Sequence, residues 1–458
     1  MAILGLINSE SFSTERFKNV RRSVFYFYPN GAAPLTGLIS LLKDEVTNDP
    51  EYKWYEKRLP EQRTITVAIS TTIPWYATGI TIAAQKVTAA TIAAANITFT
   101  AGTQYAVKVS ASPENIFRVG HLIRMRALDS GGTLYQEVVG RVNAVNTASD
   151  TPANVLGFIA VNTVSVAVDY DIAGNVGMEV LVVGSSFAEG SLDISSGIYN
   201  LPINPLNYTQ IFRTPFQITG TALKTSAKFD ETGVYKDMAK ENSVYHMIEM
   251  EKNFLFGQQS LISVSGVPTR TMGGVLWYLM SWEAGTTYGN TAATVDGDDN
   301  KRIISNTDGK MTDKRYNTYL ERLFRVTNNK ANEKLVLCGS GFLNVINQLY
   351  MSRACLDASL PMTETYGMNV VKHTTPFGNI YYKTHPLFSQ NAVLRNNALF
   401  LDIQNFVYRH LDGRDTALLK NRQANDADYR KDEWLTECGL EIRFPESHMY
   451  LQNVTDFA

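Results

Sequence analysis

The side chains most able to hold a metal ion are six histidines, and their spacing does not build a metal site. No two of them fall at the HxH, HxxxH or HExxH spacing that places imidazoles around one ion. We therefore interpret them as structural or surface residues, and the sequence predicts neither a metal site nor a cofactor. The six are His121, His246, His373, His385, His410 and His448.

An acidic run at 296–300 suggests calcium because alternate oxygen ligands open an EF-hand loop. The rest of that loop is missing, since Lys301 stands where the turn needs glycine and Thr307 stands where the bidentate glutamate belongs. A solvated loop is the better interpretation.

A phosphate cradle is suggested by a predicted strand, Lys334–Cys338, followed by Gly339-Ser340-Gly341 and a helical segment. Asn344 occupies the place of the third glycine of a dinucleotide-binding turn, and no GK[ST] motif is present. The segment therefore predicts a tight strand-to-helix turn without a nucleotide.

No nucleophile signature is present, and the sequence predicts no catalytic residue. There is no GxSxG, and the three cysteines, Cys338, Cys355 and Cys438, form no CxxC pair. They are typical of buried free thiols in a reducing compartment. The sequence leaves open paired carboxylates for glycoside cleavage, because such pairing is spatial.

One local basic cluster precedes an aromatic run at 25–28. Four cations in seven residues could follow a phosphate backbone or an acidic partner surface, or they could belong to a solvated arm with an aromatic anchor. The cluster is Arg16, Lys18, Arg21 and Arg22.

The composition is that of an ordinary folded protein without a membrane span. The 458 residues are 44% hydrophobic and 19% charged, and the net charge of −2 disfavours a dedicated nucleic-acid binder. The uncharged segment Thr64–Gln85 is interrupted by Pro74 and Gly79 and is rich in threonine. It therefore predicts β-strands instead of a spanning helix.

Residues 66–200 differ from the rest of the chain. They carry only 6 basic and 9 acidic side chains, a much lower share of charge than the whole chain has. Short runs of threonine, valine, isoleucine and alanine alternate there with glycine turns. A β-sandwich or barrel is predicted over about 100–185.

The C-terminal part predicts mixed α/β structure. A stripe at 3–4 spacing predicts a long helix over Glu231–Gln258. The stripe consists of Val234, Met238, Glu241, Tyr245 and Ile248, joined by Val244, Met247, Phe254 and Leu255. The other predicted elements are a helix at Asp313–Thr327, strands at Lys334–Cys338 and Ala398–Ile403, a hairpin of Asn369–His373 with Asn379–Lys383, and a strand at Trp434–Phe444 that places Leu440, Ile442 and Phe444 on one face.

Several segments, in this order, resemble the major capsid proteins of tailed bacteriophages, whose fold is shared with the herpesvirus shell. The order and spacing of the segments carry the resemblance more than any one of them does. They are the aromatic block Phe25–Thr36, the acidic–aromatic segment Asp49–Lys57, the run Asn207–Arg213 that leads through Gly220-Thr221-Ala222 into the long helix, Arg270–Val275, and Glu441–His448.

The resemblance implies an α+β capsid fold with an all-β insertion. Its expected parts are an N-terminal arm at 1–45, an E-loop region at 46–80 and 186–215, a β-rich insertion at 81–185, a peripheral domain with a spine helix at 216–262 and 426–458, and an axial domain at 263–425. We expect the insertion to stabilise neighbouring subunits. Because the arm is predicted to begin close to Met1, any scaffold is expected to be a separate protein.

The resemblance also implies a structural shell protein and no enzyme. Identical subunits would form hexamers and pentamers of an icosahedral head, assembled in the host cytoplasm and retained in the virion. Scaffold, portal and decoration proteins are the implied partners, together with enclosed DNA held by weak, non-specific contact and no membrane. Subunit contacts are expected at Phe25, Tyr26, Phe27, Tyr28, Trp54, Tyr55, Glu56 and Arg58, and contact with DNA or scaffold at Arg16, Lys18, Arg21 and Arg22.

Two other functions stay open at this point. A virion spike or adhesin could use the β-rich zone as a recognition domain, with tyrosine and tryptophan rings stacking on sugars. An enzyme whose site is assembled only in space is the third. A protease-resistant trimer would favour the adhesin, and turnover of a small substrate would favour the enzyme.

Overall fold

The computed structural model describes most of the chain from residue 44 onwards in two compact units. The described ranges are 35–36, 44–57, 63–68, 76–77, 80–81, 97–109, 116–127, 136–146, 155–166, 179–187, 189, 201–225, 233–284, 301–325, 332–353, 362–365 and 368–457. One unit comprises 1–54, 204–290 and 298–458, and the other comprises 55–203 and 291–297.

Strands dominate both units. In chain order they are β1 Asp44–Thr47, β2 Glu51–Lys53, β3 Arg63–Ala68, β4 Tyr76–Ala77, β5 Ile80–Thr81, β6 Ile97–Phe99, β7 Gln104–Val109, β8 His121–Ala127, β9 Gln136–Val145, β10 Val155–Ala160, β11 Val164–Val166, β12 Glu179–Ser185, β13 Leu206–Tyr208, β14 Gln210–Thr219, β15 Ser260–Val264, β16 Val267–Thr271, β17 Ile303–Ser305, β18 Lys310–Met311, β19 Glu333–Cys338, β20 Met362–Thr365, β21 Met368–Thr374, β22 Asn379–Thr384, β23 Ala398–Leu401, β24 Phe406–Leu411, β25 Ala417–Leu419, β26 Tyr429–Ile442, β27 Met449–Gln452 and β28 Asp456–Phe457.

The α-helices of the described ranges all belong to the first unit, so the chain as a whole is α+β. They are α1 Gly220–Lys224, α2 Val234–Phe256, α3 Val275–Ala284, α4 Asp313–Arg325, α5 Ser340–Arg353 and α6 Pro386–Gln390. Short 3-10 turns occur at Leu394–Asn396, Ile403–Asn405 and Pro445–Ser447.

The described residues of the first unit form two large sheets and three two-stranded ones, β2–β13, β15–β16 and β18–β28. One large sheet has the order β1-β24-β26-β14, with β25 also paired to β26, and the long helix α2 packs against β14 and β26. The other has the order β17-β27-β23-β19-β22-β21-β20. Its core joins aliphatic and aromatic side chains of α4 and α5, among them Leu323 and Phe342, to those of the central strands, among them Val336 and Phe400.

The predicted spine helix is confirmed, but its buried face matches only part of the predicted apolar positions. Phe254 and Leu255 are buried as predicted, whereas Tyr245 is 52% exposed and Met247 is 47% exposed. The other buried positions, His246, Met250 and Glu251, were not predicted. Two polar residues belong to this face because neighbouring segments supply their hydrogen-bond partners, and hydrophobic spacing alone does not detect such positions.

The predicted turn after Cys338 is also confirmed. Strand β19 runs into α5 through Gly339, where a Cβ would lie 2.1 Å from the carbonyl oxygen of Arg395. Only glycine allows the two backbones to approach so closely. The turn therefore serves packing.

Strands β21 and β22 form the predicted hairpin. Val371 lies opposite Tyr382 at one end of the pairing, and Thr374 lies opposite Asn379 at the other. The C-terminal strand β26 is longer than predicted at its start and shorter at its end. The placement of Phe444 on its apolar face is wrong, because Phe444 lies beyond the strand with φ 50° and opens the 3-10 turn Pro445–Ser447. A left-handed residue cannot continue the alternation of a strand.

The second unit is a closed barrel with the strand order β10-β7-β3-β12-β8-β9. The sequence predicted a sandwich or a barrel here. Strand β3 lies in the segment 46–80, which was assigned to the E-loop region, and the structure makes it a barrel strand. The interior is filled by alternating apolar side chains such as Val107, Ile123, Val138 and Phe158. Because the barrel is closed, each of its strands is paired on both sides. No open edge is left for charged side chains to protect, which is consistent with the few charges of this segment.

Candidate functional site

A buried carboxylate on the spine helix holds a short piece of the N-terminal segment. Glu251 accepts hydrogen bonds from the backbone nitrogens of Leu35, at 2.9 Å, and Thr36, at 2.6 Å. The hydroxyl of Thr36 donates to the same carboxylate at 2.6 Å. Leu35 and Thr36 belong to the aromatic block that carried part of the resemblance. The contact anchors the segment that precedes β1 to helix α2.

His385 completes this anchor from the other side. Its Nδ1 accepts from the backbone nitrogen of Leu387, so its Nε2 carries the proton and donates to Glu251 Oε1 at 2.7 Å. Both side chains are fully buried. Because each carboxylate oxygen has donors, the charge of Glu251 is satisfied without a metal.

The predicted contact residues 54–56 have different environments. Trp54 is buried, with its ring centroid 5.9 Å from that of Tyr278 and 6.3 Å from that of Tyr52. Tyr55 is 73% exposed, whereas Glu56 is buried and pairs through its backbone with Ile203. Tyr55 is therefore the member of this set whose side chain is open to a partner.

The other predicted contact residues lie outside the described residues. These are Phe25, Tyr26, Phe27, Tyr28 and Arg58, and the basic cluster Arg16, Lys18, Arg21 and Arg22. The acidic run 296–300, predicted as a solvated loop, and Cys355, predicted as a buried thiol, also lie outside them.

The hairpin β15–β16 presents apolar side chains to solvent, and sequence reasoning missed it. Its two-residue turn, Ser265-Gly266, has positive φ at both positions, as the tight hairpin turn requires. The pairing places three branched residues on one face: Ile262 at 51% exposed, Val264 at 52% and Val267 at 63%. We call this the apolar hairpin. In the sequence, Ser263 separates Ile262 from Val264, and a Ser-Gly turn follows before Val267. This pattern is the signal that indicates the hairpin.

A row of buried carboxylates follows one face of β26. Glu433, Glu437 and Glu441 are spaced by four residues, so they point to the same side of the sheet. Glu441 accepts from Nε of Arg409 at 2.7 Å and from Nε of Arg443 at 2.6 Å. Glu437 accepts from Nε of Arg414 at 2.5 Å. Simple alternation would place these glutamates in solvent, and the arginines are what permits their burial.

Five further buried titratable side chains of the first unit are structural: Lys334, Asp402, His448, Cys338 and Cys438. Lys334 Nζ lies 2.9 Å from Asp402 Oδ2 with both side chains fully buried, and burial lowers the pKa of Lys334. His448 Nδ1 accepts from the backbone nitrogen of Asp402 at 3.0 Å, and burial, with the nearby charge of Lys334, lowers its pKa to about 3. Burial raises the pKa of the free thiols Cys338 and Cys438 to about 12. These thiols are protonated and unreactive at neutral pH.

Across the described ranges, no three or more histidine, cysteine, aspartate or glutamate side chains converge on a place for a metal ion. In the same part of the chain, no helix is both long and apolar enough to cross a membrane.

The sequence matches a known family along almost its whole length. The SU10 major capsid protein family matches residues 7–455. The chain belongs to this family. The predicted resemblance to phage major capsid proteins is thereby confirmed, and the chain is a structural subunit of a virion shell. No curated protein matches the sequence.

The solved structures that are similar to this major capsid protein share little sequence identity with it. The capsid of a native GTA particle is 11% identical, covers 59% of this chain and 80% of its own, and has a TM-score of 0.38. The capsid of cyanophage A-1(L) is 12% identical, covers 59% and 85%, and has a TM-score of 0.36. The holo-SrpI encapsulin complex from Synechococcus elongatus is 11% identical, covers 57% and 79%, and has a TM-score of 0.38.

Proposed function

We propose that this major capsid protein assembles with copies of itself into hexamers and pentamers of an icosahedral head around a phage genome. The observation that carries the proposal is the family match over residues 7–455. In closed rings of five or six identical subunits, one surface of each subunit contacts a different, complementary surface of the next copy. The apolar hairpin supports such contacts, because a two-stranded hairpin with an exposed apolar face is only marginally stable by itself in water.

The subunit surface offers further contact candidates. Tyr55, Tyr245 and Met247 are each about half exposed or more in the single chain. Aromatic and methionine side chains are enriched at protein interfaces. We therefore place subunit contacts at these residues and at the apolar hairpin, together with the predicted arm residues 25–28 and Arg58.

The barrel unit has a separate role in this proposal. The chain enters and leaves it side by side, since Glu56 and Ile203 exchange two backbone hydrogen bonds, of 2.9 and 2.8 Å. Such a module can be carried by the shell subunit without interrupting its fold. We propose that it stabilises neighbouring subunits.

The partners and the place of assembly belong to the same proposal. Assembly takes place in the host cytoplasm with scaffold and portal proteins, decoration proteins bind the finished shell, and the chain performs no catalysis. The cluster Arg16, Lys18, Arg21 and Arg22 faces DNA or scaffold. Family membership speaks against the virion spike or adhesin, because a major capsid protein is the shell subunit.

The proposal is tested by light scattering and electron microscopy of the chain expressed alone and together with its candidate scaffold. Closed shells, tubes, sheets or rings of five or six subunits are expected in at least one of the two preparations. A small, monodisperse species in both would contradict the proposal. A protease-resistant trimer would support the adhesin instead.

A further inference from the structure

A solvent-open pocket of about 330 Å³ lies at the start of β26, on the face that carries the buried carboxylates. Its lining is mostly basic and amide. We call it the basic pocket, and its lining residues are Arg213, Asn421, Arg422, Gln423, Lys431 and Glu433.

A buried glutamate pairs with both arginines of the basic pocket. Arg213 donates to Glu433 Oε2 from Nη2 at 2.5 Å and from Nε at 3.2 Å. Arg422 Nε lies 3.3 Å from Glu433 Oε1. Glu433 is almost fully buried, whereas both guanidinium groups are about half exposed. Arg213 is therefore hydrogen-bonded to Glu433 and Arg422 is ion-paired with it, and N–H groups of both arginines are left for the pocket.

The charges of the basic pocket do not cancel. Lys431 adds a third cation, and its Nζ has no hydrogen-bond or ion-pair partner among the described residues. Three cations surround a single carboxylate, so a positive excess remains. Guanidinium groups that are held in place bind carboxylates and phosphates through paired hydrogen bonds. The ligand that fits is an oxyanion.

The described ion pairs further along this face of the sheet are balanced in charge. Further along the same face, Arg414 pairs with Glu437, and Arg409 and Arg443 pair with Glu45 and Glu441, so the cations and carboxylates of these pairs balance. A phosphate backbone needs a continuous basic track, because it presents a charge at every nucleotide. A single anion suits the basic pocket better than DNA does.

We propose that the basic pocket binds a carboxylate side chain of a second copy of this chain. This inference rests on the proposed function, in which copies of the chain surround one another. The chain has 44 acidic side chains, so each neighbour can supply the anion. A carboxylate that bridges Arg422 and Lys431 would fix the register between two subunits, since charged contacts give specificity at interfaces.

Charge reversal in the full-length chain tests the pocket. The double variant Arg422→Glu/Lys431→Glu is compared with Lys420→Glu, an exposed position of the same loop that does not line the pocket. We expect the double variant to assemble at least tenfold less than wild type, as particles measured by sedimentation, and Lys420→Glu to assemble like wild type. The conservative double variant Arg422→Lys/Lys431→Arg is expected to retain assembly.

Crosslinking of wild-type shells tests the pocket without a variant that could fail to fold. Shells are assembled from an equal mixture of nitrogen-14 and nitrogen-15 chains and treated with a carbodiimide, which joins an amine to a carboxylate in direct contact. We expect mass spectrometry to find Lys431 joined to an aspartate or glutamate peptide of the other isotope. Absence of any mixed-isotope crosslink at Lys431 would overturn the proposal.

Two further outcomes separate this inference from the proposed function. If wild type forms shells and the charge-reversed variant does so equally well, the pocket assignment is overturned and the proposed function stands. If shells of the charge-reversed variant are otherwise normal but no longer protect DNA from nuclease, the pocket binds phosphate. That result would also overturn the assignment of a carboxylate ligand. Failure of wild type to assemble with or without scaffold would overturn the proposed function and this inference together.

Discussion

His385 Nε2 lies 2.7 Å from Oε1 of Glu251, and the two side chains are fully buried. The same carboxylate receives the backbone nitrogens of Leu35 and Thr36. One residue of the spine helix thus joins the N-terminal segment to the start of helix α6. This contact therefore holds Leu35 and Thr36 against the spine helix.

We predict that Glu251→Gln destabilises the subunit by about 3 kcal/mol, because one acceptor oxygen is lost and an amide N–H₂ is turned towards buried donors. Urea unfolding of the unassembled chain measures the change. Limited proteolysis is expected to cut the chain faster near residues 35–36 in the variant.

The matched control for this variant is Glu249→Gln, which removes an exposed carboxylate from the same helix. It is expected to change stability by less than about 0.5 kcal/mol. Equal stability of the two variants would show that the N-terminal anchor contributes nothing to folding.

We predict that the apolar hairpin contributes to assembly and not to subunit stability. The triple variant Ile262→Thr/Val264→Thr/Val267→Thr keeps β-branched residues in the strands but removes their apolar surface. Burial of each side chain at a contact is worth about 1 kcal/mol, so the concentration needed for assembly should rise at least tenfold. Sedimentation of assembly mixtures measures this threshold.

Val393→Thr is the control for the hairpin variant, because Val393 is 78% exposed and lies outside the hairpin. Unfolding curves of both unassembled variants should match that of wild type. A hairpin variant with the wild-type assembly threshold would refute the assignment of this surface.

We predict that neutral His448 makes folding sensitive to acid. Burial lowers its folded pKa to about 3, below the usual 6.5, so the fold excludes the protonated form. The stabilisation is complete above pH 6.5 and is lost as the pH falls from 6.5 towards 3, by on the order of 4 kcal/mol. Unfolding of wild type and His448→Gln is compared between pH 7 and pH 4.

The variant keeps an acceptor for the backbone nitrogen of Asp402 and cannot titrate, so its stability should fall less steeply with pH. His373→Gln, at a partly exposed histidine, should follow wild type. If the free energy of unfolding falls equally steeply with decreasing pH in wild type and in His448→Gln, His448 is protonated in the folded protein without a loss of stability.

We predict that the barrel can be removed without loss of assembly. Replacing residues 57–202 by a two-residue Asn-Gly turn joins Glu56 to Ile203, which already pair as neighbours. Shells of this variant should form but should disassemble several degrees below wild-type shells, as followed by light scattering during heating. Heat resistance equal to that of wild type would refute a stabilising role.

Elements that depend on residues close together in the chain could be predicted from the sequence, and pairings between distant segments could not. The helix over 234–256 and the hairpin of β21 and β22 depend on neighbours in the chain, and both were predicted within a few residues. Barrel closure was not specified, because β3 pairs with β7 and β12, which lie far along the chain. Periodicity carries no information about such pairing.

Buried charge was the second limit on prediction. Alternation along β26 predicts glutamates in solvent, yet Glu433 and Glu441 are buried by arginines from other strands and loops. Likewise Glu251 and His246 belong to the buried face of the spine helix because distant residues satisfy them. The basic pocket and the N-terminal anchor both depend on such pairs, so neither could be found from residue spacing.

The most direct test of the shell assignment is electron cryomicroscopy of particles assembled from this chain. We predict a reconstruction with icosahedral symmetry in which the same chain occupies both fivefold and sixfold positions and the apolar hairpin is covered by a neighbouring copy. A reconstruction that shows the chain only as a projecting trimer, or a hairpin that is open to solvent in every position, would contradict this account.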